Sequence, residues 1–342
     1  MEKEKMLDLV SLGDLMIDFS CMGKSNAGRL LFERNPGGAP MNVAAQLSRL
    51  GGKAGVICCL GRDEHGEYLY DLAKNEMGFD MTNVQFTEKD GTRFLFVYFD
   101  QDKERSFTNY KGARSDLMIE ASKVDLSQIR RCKGFNYTPL AFEFDYPIAK
   151  AAELALEEAN SAGVITAFDS NYRFPFKDKK VYHAVQNAIY GAQIVKLSLD
   201  DMRYFMKEEN VFSACEKLLA GNAKIVAFTM GAFGSLLYTQ KGWSYRPAYR
   251  VNVLDTTGAG DSFMGALIYL LTRESVDIEK LSTQDLERMG DFCNACAAVS
   301  TMTRGSLLAM PILLQTEHVM ETAPRIEMQL EQALSNLKNK EK

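Results

Sequence analysis

A short segment, DTTGAGDSFMGAL, from Asp255 to Leu267 combines a glycine-containing turn with a carboxylate. Gly258, Ala259 and Gly260 lack large side chains, so their backbone N–H groups can approach a ligand, and such groups attract anions at the start of a helix. Asp261 would repel a phosphate that was merely stored there. If a hydroxyl attacks the phosphate, however, Asp261 can accept its proton while the N–H groups stabilise the transferring phosphoryl group. The segment therefore favours phosphoryl transfer to an alcohol over a simple capped turn.

The segment matches neither of two common nucleotide-binding motifs, the Walker loop and the dinucleotide fingerprint. The chain contains no Gly-x4-Gly-Lys-Ser/Thr sequence, and the segment is not the G-x-G-x-x-G fingerprint of dinucleotide-binding proteins. A dinucleotide-dependent oxidoreductase is therefore disfavoured.

A second region has the composition of a sugar site. A sugar presents several hydroxyl groups and no charge, so its site needs hydrogen-bond acceptors and donors, which Asp18 and Asn42 supply. Gly37 and Gly38 allow the backbone to approach the ligand. Two structural alternatives stay open: Asn42 could cap a helix, and Asp14 could form a turn at a strand end.

Both regions resemble motifs of one enzyme family. DTTGAGDSF resembles the signature of the PfkB (ribokinase-like) carbohydrate kinases, and NPGGAPMNVAAQLSRLGG, from Asn35 to Gly52, is similar to the sugar-binding segment of the fructokinase branch. The motifs occur in the family's order, and the resemblance extends from Gly13 to Pro311. It implies an ATP-dependent kinase that converts D-fructose and ATP to fructose 6-phosphate and ADP.

The resemblance implies roles for individual residues. Asp261 corresponds to the general base, and Gly258, Ala259 and Gly260 correspond to the anion-binding turn. Arg173 lies in DSNYR, which resembles the family's Asp-x-Asn-x-Arg, and it would either face a phosphate or pair with a carboxylate. Asp18 would be the main carboxylate of a sugar site whose other members are Asp14, Gly37, Gly38 and Asn42.

Nucleotide and metal contacts follow from the same resemblance. TMGAFG, which contains Thr229, Gly231 and Gly234, resembles the turn beside the nucleotide, although a hairpin turn has a similar composition. Asn294 looks like an adenine-pocket residue, the alternative being a solvent-facing helix position. The remaining predicted contacts include Ser198 and Asp201, at which this chain departs from the family motif.

Magnesium and potassium are the two metals that the family implies. Ser198 and Asp201 stand where the family carries Asn-x-x-Glu, and Asp201 could hold Mg²⁺ through a water molecule. Ser198 is the weaker match and belongs to the nucleotide side of the site. Asp255 and the carbonyl group of Thr257 are candidate K⁺ ligands.

These residues need a scaffold, and the apolar pattern predicts an α/β one. Strand-like runs alternate with helical ones, as in a parallel sheet covered on both faces. The resemblance specifies a ribokinase-like three-layer sandwich with a mostly parallel central sheet and a small β-lid. Predicted strands span 7–12, 54–60, 163–168, 193–197 and 225–229, and predicted helices span 41–50, 63–77, 179–189, 200–206 and 291–303.

Residues 1–342 are predicted to form one kinase domain. Segments near 14–34 and 92–110 would form the lid, with FLFVYF and RSFTNY as two of its strands; an edge hairpin is the alternative. A helical tail is expected near 324–342, with Pro324 suited to a helix start.

Composition limits the partners and the compartment. A net charge of −5 and the lack of a long Lys/Arg block argue against nucleic acid, and the chain has no apolar run long enough to span a membrane. Seven cysteines, an odd number without a zinc-type pattern, indicate a reduced cytoplasmic protein. A sugar and ATP are the expected partners, and the family implies a possible homodimer through the lid.

Two other functions stay open. The first is a 2-keto-3-deoxygluconate kinase or another PfkB sugar kinase. The keto acid would need additional groups for its carboxylate, for which Arg105, Tyr110 and Arg173 are candidates. A catalytically inactive sugar- or nucleotide-sensing protein is the second, and the intact Asp261 segment counts against it.

Overall fold

The computed structural model describes residues 7–99, 105–109, 112–171, 178–273 and 276–339. The strands among them are β1 (Leu7–Leu12), β2 (Met16–Lys24), β3 (Leu30–Gly37), β4 (Ala54–Gly61), β5 (Asp80–Thr87), β6 (Phe94–Phe99), β7 (Arg105–Asn109), β8 (Cys132–Tyr137), β9 (Ile165–Asp169), β10 (Ile194–Leu197), β11 (Ile225–Thr229), β12 (Ser235–Thr239) and β13 (Gly242–Arg246). Nine of these strands form one sheet, in the order β13-β12-β11-β10-β9-β8-β1-β4-β5. Two of its strand pairs, β11 with β12 and β12 with β13, are antiparallel and the other six are parallel, so that the sheet is mostly parallel, as predicted.

Helices cover both faces of this sheet. The helices among the described residues are α1 (Ala39–Arg49), α2 (Glu64–Asn75), α3 (Leu126–Arg130), α4 (Pro147–Ser161), α5 (Lys179–Gly191), α6 (Leu199–Asp201), α7 (Val211–Leu219), α8 (Ala259–Arg273), α9 (Thr283–Ser300), α10 (Leu313–Thr322) and α11 (Leu330–Asn339). Within the described ranges, no helix has the length and apolar character needed to cross a bilayer.

Alternate strand residues face opposite helical layers. In β1, Val10 and Leu12 pack into a core that includes α4, α5 and α7, whereas Leu9 packs into a second core with α1, α2, α8 and α9. Because both faces are buried, these strands read as nearly continuous apolar runs. The three-layer α/β fold is therefore confirmed.

A second, four-stranded sheet has the order β3-β2-β6-β7. Its strands occupy the two segments that were predicted to form the lid, and β2 and β6 pair in parallel although β6 follows far later in the chain. Phe19 stacks on Phe96, with ring centroids 5.4 Å apart, and Phe32 meets Phe96 edge to face. The edge-hairpin alternative is wrong, because these strands form a sheet of their own.

Helices α1 and α8 lie in very close contact. A β-carbon at Gly265 would lie 2.5 Å from the carbonyl oxygen of Val43 and 2.6 Å from Cβ of Gln46, so no larger residue fits there without movement. Ser262 donates to Gln46 Oε1 at 2.6 Å, and Gln46 Nε2 donates to the carbonyl oxygen of Pro311. Helix packing and buried hydrogen bonds thus fix α8 against α1.

Several predicted helix boundaries were wrong. Helix α1 begins at Ala39, two residues before the predicted start, because Gly38 adopts φ +115° at the N-cap and Pro40 fits the first turn. Helix α9 extends well upstream of residue 291 to Thr283, where Ser282 forms a capping box. Residues 200–206 form the end of α6 and a π-helical turn, which terminates at the left-handed Lys207.

The predicted helix start at Pro324 was also wrong. Its carbonyl oxygen accepts a hydrogen bond from the N–H group of Arg250 at 2.8 Å, and Arg325 forms an isolated bridge with Tyr249. These contacts hold the chain extended until α11 begins at Leu330, where Leu330 and Ala333 enter the core.

The close approach of α1 and α8 predicts a stability effect at Gly265. Gly265→Ala should lower the free energy of unfolding by about 1–3 kcal/mol, because the added methyl group overpacks the interface. Urea denaturation measures the change. Gly191→Ala is the matched control, since a β-carbon there meets nothing within 4 Å, and it should leave stability unchanged or raise it by up to about 1 kcal/mol. Equal stability of both variants would contradict the packing analysis.

Candidate active site

The first turn of α8 carries the predicted base and anion-binding turn. Gly258 adopts φ +80°, a left-handed conformation that favours glycine, and its carbonyl oxygen accepts the N–H group of Ser262 at 2.7 Å. The first N–H groups of a helix have no acceptor within the helix, so those of Ala259, Gly260 and Asp261 are at the end that attracts anions. Asp261 is 4% exposed. The structure therefore places a buried carboxylate directly behind an anion-attracting turn.

The segment that is predicted to bind sugar reaches this carboxylate through Asn42. Asn42 lies on α1, and its Nδ2 donates to Asp261 Oδ2 at 2.8 Å. Its amide oxygen Oδ1 is buried and has no hydrogen-bond partner among the described residues. An unpaired buried acceptor is costly unless a ligand satisfies it. Asn42 is therefore not occupied with capping a helix, and its free oxygen can receive a donor from a ligand.

The other predicted sugar residues lie at the end of β3. A β-carbon at Gly37 would lie 2.7 Å from Asp18 Oδ2 and 3.0 Å from Ser306 Oγ. At Gly38, it would lie 2.0 Å from the carbonyl oxygen of Asp14. Both glycines are thus required by close approach, and the structure brings Asp14, Asp18, Gly37 and Gly38 together.

A turn near residue 305 joins the sugar segment to the anion-binding turn. A β-carbon at Gly258 would lie 3.0 Å from Cβ of Ser306, the residue whose hydroxyl group lies beside Gly37. The Asp255 carboxylate holds this turn, because its Oδ2 accepts the N–H group of Gly305 at 3.1 Å. Its Oδ1 accepts the N–H and hydroxyl groups of Thr257 at 2.9 Å and 2.6 Å. Sequence reasoning missed Ser306, which carries no distinctive motif.

Sequence reasoning also missed a buried ion pair beneath the anion-binding turn. Lys196 Nζ lies 2.9 Å from Asp169 Oδ1, and both side chains are almost inaccessible to solvent. Burial raises the pKa of Asp169 to about 6 against the opposing effect of Lys196, and the carboxylates of Asp261 and Asp201 add to the rise. Burial alone would lower the pKa of Lys196, but the neighbouring carboxylates raise it, so the lysine carries its charge. A lysine within the apolar run IVKL was the available signal.

The predicted nucleotide residues lie on two elements, which the fold brings together at one backbone group. Thr229 ends β11, and Gly231 and Gly234 lie in the tight connection to β12, so this segment is a hairpin turn at the carboxyl end of a parallel strand. Asn294 is 6% exposed, and its Nδ2 donates to the carbonyl oxygen of Arg246 at 2.8 Å. The same carbonyl would clash with a β-carbon at Gly234. Gly234 and Asn294 therefore meet at one backbone group.

Ser198 and Asp201 form a helix cap. Asp201 Oδ2 accepts the N–H and hydroxyl groups of Ser198 at 2.6 Å and 2.5 Å, in a capping box at the start of α6. Among the residues that the structure describes, no three His, Cys, Asp or Glu side chains are grouped to hold a metal. Arg173 and Tyr110 lie outside the described residues.

Comparison with known proteins identifies the family. Residues 6–313 match the pfkB family of carbohydrate kinases. The chain is 31% identical over 323 residues to probable fructokinase-5 of Arabidopsis thaliana, covering 92% of this chain and 97% of that protein. It is 30% identical over 324 residues to fructokinase-2 of Oryza sativa subsp. japonica, with coverages of 92% and 94%.

A solved structure gives the same result. The fructokinase of Xylella fastidiosa with bound ATP superimposes with a TM-score of 0.81 at 25% identity, covering 92% of this chain and 99% of that one. The chain therefore belongs to the pfkB family of carbohydrate kinases. It is a sugar kinase, which transfers a phosphoryl group to a sugar hydroxyl.

The hydrogen bonds of Asp255 predict that this residue stabilises the site. Asp255→Ala should lower the free energy of unfolding by about 1–3 kcal/mol, since it leaves the buried Gly305 N–H group without its acceptor. Urea denaturation provides the measurement. Asp71→Ala, at an exposed position of α2, should change stability by no more than about 0.5 kcal/mol. A loss no greater than that of the control would show that Asp255 does not hold the turn.

Proposed function

We propose that this chain is an ATP-dependent fructokinase that phosphorylates a terminal hydroxyl of D-fructose, yielding fructose 6-phosphate and ADP. The observation that carries the proposal is the 2.8 Å hydrogen bond between Asn42 of the sugar segment and Asp261 behind the anion-binding turn. This bond places Asn42, which is a candidate sugar-binding residue, and Asp261, which is the candidate base, within reach of the same sugar hydroxyl group. The fructokinase names of the relatives and the ATP bound to the Xylella fastidiosa enzyme support the choice of substrates.

The proposed reaction is an in-line phosphoryl transfer. Asp261 accepts the proton of the terminal hydroxyl as its oxygen forms a bond to the γ-phosphorus of ATP. The bond between that phosphorus and the β,γ-bridging oxygen breaks, and its electron pair leaves with ADP. The N–H groups of Gly258, Ala259 and Gly260 stabilise the charge on the transferring group. Closure of the small sheet over the sugar would exclude water and suppress ATP hydrolysis.

Sugar binding is assigned to the residues around β3. The buried Asn42 Oδ1 can accept a hydrogen bond from a sugar hydroxyl, which would satisfy an acceptor that the described protein leaves unpaired. Asp18, whose carboxylate lies over Gly37, would accept from further hydroxyls. Asp14 and Gly38 complete this side of the proposed pocket, and Arg173 is proposed as an additional contact.

Magnesium would enter the site with ATP. Mg²⁺ that is bound to substrate phosphates usually keeps several water molecules and takes only one or two protein ligands, so a site with few protein ligands suits it. Asp201 is the proposed contact, through water, because its carboxylate is close enough to Asp169, at the carboxyl edge of the sheet, to raise the pKa of that residue. Thr229, Gly231, Gly234, Ser198 and Asn294 are proposed to bind the nucleotide.

Potassium fits the structure less well. Both oxygens of Asp255 already accept hydrogen bonds from Thr257 and Gly305, so an ion there would compete with these donors. Asp255 and Thr257 as K⁺ ligands stay a prediction, and no step of the proposed reaction uses the ion.

We also propose a cytoplasmic, single-domain enzyme that can form homodimers. The seven free cysteines, six of them buried, suit a reducing compartment. The tail helix α11 packs into the main core through Leu330 and Ala333, which supports one domain. Exposed Leu30 and Leu31 on the small sheet support its use as an interface.

The proposed base predicts a kinetic effect at Asp261. Asp261→Asn should lower kcat by about 10²–10⁴-fold, because the amide cannot accept the hydroxyl proton. Dissociation constants for fructose and ATP should change much less. The matched control is Asp71→Asn, the same substitution at an exposed position of α2, which should retain kcat within about threefold. An active Asp261→Asn enzyme would exclude Asp261 as the base.

Substrate choice is predicted from Met16 and the sugar segment. Ribokinases carry a sugar-contacting Asn where this chain has Met16, and a thioether lacks the donors of that amide. At saturating ATP and magnesium, kcat/KM for D-fructose should therefore exceed that for D-ribose by about tenfold or more. The same assay includes 2-keto-3-deoxygluconate. A tenfold preference for this keto acid would overturn the choice of fructose, and the absence of ADP release with every sugar tested would favour the catalytically inactive sensing protein.

A further inference from the structure

Lys196 occupies an unusual position for a lysine. It lies in β10 between Val195 and Leu197, and its register partner in β9 is Asp169, the last residue of that strand. Val195 and Leu197 pack into the core on the α4 and α5 side, so that Lys196 projects to the opposite side, where α8 lies. The strand geometry thus directs an ammonium group toward the start of α8.

The ammonium group reaches the anion-binding turn itself. A β-carbon at Gly260 would lie 3.2 Å from Lys196 Nζ and 3.6 Å from Cε. No other heavy atom outside the neighbouring residues lies within 4 Å of that position among the described residues. The missing side chain of Gly260 therefore opens a space that Lys196 fills, next to the N–H groups proposed to hold the γ-phosphoryl group.

Lys196 can bind a second anionic group in addition to Asp169. An ammonium group has three N–H donors, and the Asp169 carboxylate at 2.9 Å engages one of them. The carboxylates of Asp201 and Asp261 also act on Lys196. One lysine among three buried carboxylates leaves a net negative charge, which would repel a triphosphate unless a cation lies between the carboxylates and the phosphates. Lys196 lies between the Asp169 carboxylate and the anion-binding turn at Gly260.

We propose that Lys196 binds the γ-phosphoryl group of the nucleoside triphosphate during transfer, and that Asp169 is a positioning residue that holds its ammonium group beside Gly260. This inference rests on the proposed phosphoryl transfer. Lys196 would donate to a non-bridging oxygen of the γ-phosphoryl group while its bond to Asp169 is retained. Bond formation and cleavage are those of the transfer described above, and Lys196 gives up no proton.

A lysine that binds the γ-phosphoryl group can be distinguished by measurement from a lysine that is only a structural counter-ion of Asp169. A counter-ion would support the fold and would affect ATP and ADP alike. A ligand of the γ-phosphoryl group discriminates between the two nucleotides, because ADP lacks that group. The ratio of their dissociation constants therefore tests the role of Lys196 without relying on turnover.

The experiment measures the binding of MgATP and MgADP by calorimetry, without sugar, in the full-length wild-type protein and in Lys196→Met. The variant should bind ATP at least about tenfold more weakly and ADP within about threefold of wild type. Its kcat should fall about 10²–10³-fold with little change in KM for fructose, as when a donor to the developing charge is removed. Lys196→Arg should restore part of both losses.

Lys133→Met is the matched control. Lys133 forms an ion pair with Asp8 at 2.8 Å at the start of β8, the opposite end of the sheet. This variant should retain the wild-type ATP/ADP ratio and kcat. If Lys196→Met does not fold, Lys196→Gln replaces it, since an amide can still donate to Asp169.

The outcomes separate this inference from the proposed function. An unchanged ATP/ADP ratio in the folded Lys196 variant would overturn the role of Lys196, even if the wild-type enzyme phosphorylates fructose. Conversely, absence of fructose phosphorylation by wild type would refute the proposed substrate, while loss of the ATP preference in Lys196→Met would still support the γ-phosphoryl contact.

Discussion

The close contact between α1 and α8 is the constraint on which the site depends. Gly265 lets the helices approach until a carbonyl group of α1 nearly touches α8, and Gln46 and Ser262 bond across the interface. Only at this separation can Asn42 reach Asp261. The segment near the start of the chain that is predicted to bind sugar and the segment near its end that is predicted to carry the base thereby meet through buried side chains. Helix packing within one turn of Asp261 thus sets the geometry that the proposed chemistry needs.

The central sheet makes the second contribution. Its parallel strands end at a common edge, where ligands of such sheets bind. Asp169 and Lys196 occur at this edge because their strands are neighbours in register, and Ser198 and Asp201 follow directly. Charged groups that would be costly elsewhere in the core are thus collected where a charged substrate would arrive.

The sequence predicted the parts that are encoded locally. DTTGAGDSF and the glycine pair at 37–38 carry their chemistry in adjacent residues, and the buried strands could be recognised from their apolar runs. Lys196, Ser306 and the Asn42–Asp261 bond could not be placed in this way, because each depends on residues distant in the chain. Pro324 was misread for the same reason: bonds to residues 249–250 keep it out of a helix. Motifs formed by adjacent residues could thus be predicted from the sequence, whereas contacts between residues that only folding brings together could not.

Phosphoryl transfer to a terminal sugar hydroxyl is the central claim, and ³¹P NMR of the reaction mixture tests it most directly. With wild-type protein, MgATP and D-fructose, we predict that a sugar phosphomonoester appears in proportion to ADP. Its proton-coupled resonance should be a triplet, because the phosphate is bonded to a CH₂–O group. Inorganic phosphate and ADP without a sugar phosphate would mean ATP hydrolysis, and a doublet for the sugar phosphate would mean transfer to a secondary hydroxyl. Either result would contradict the proposed function.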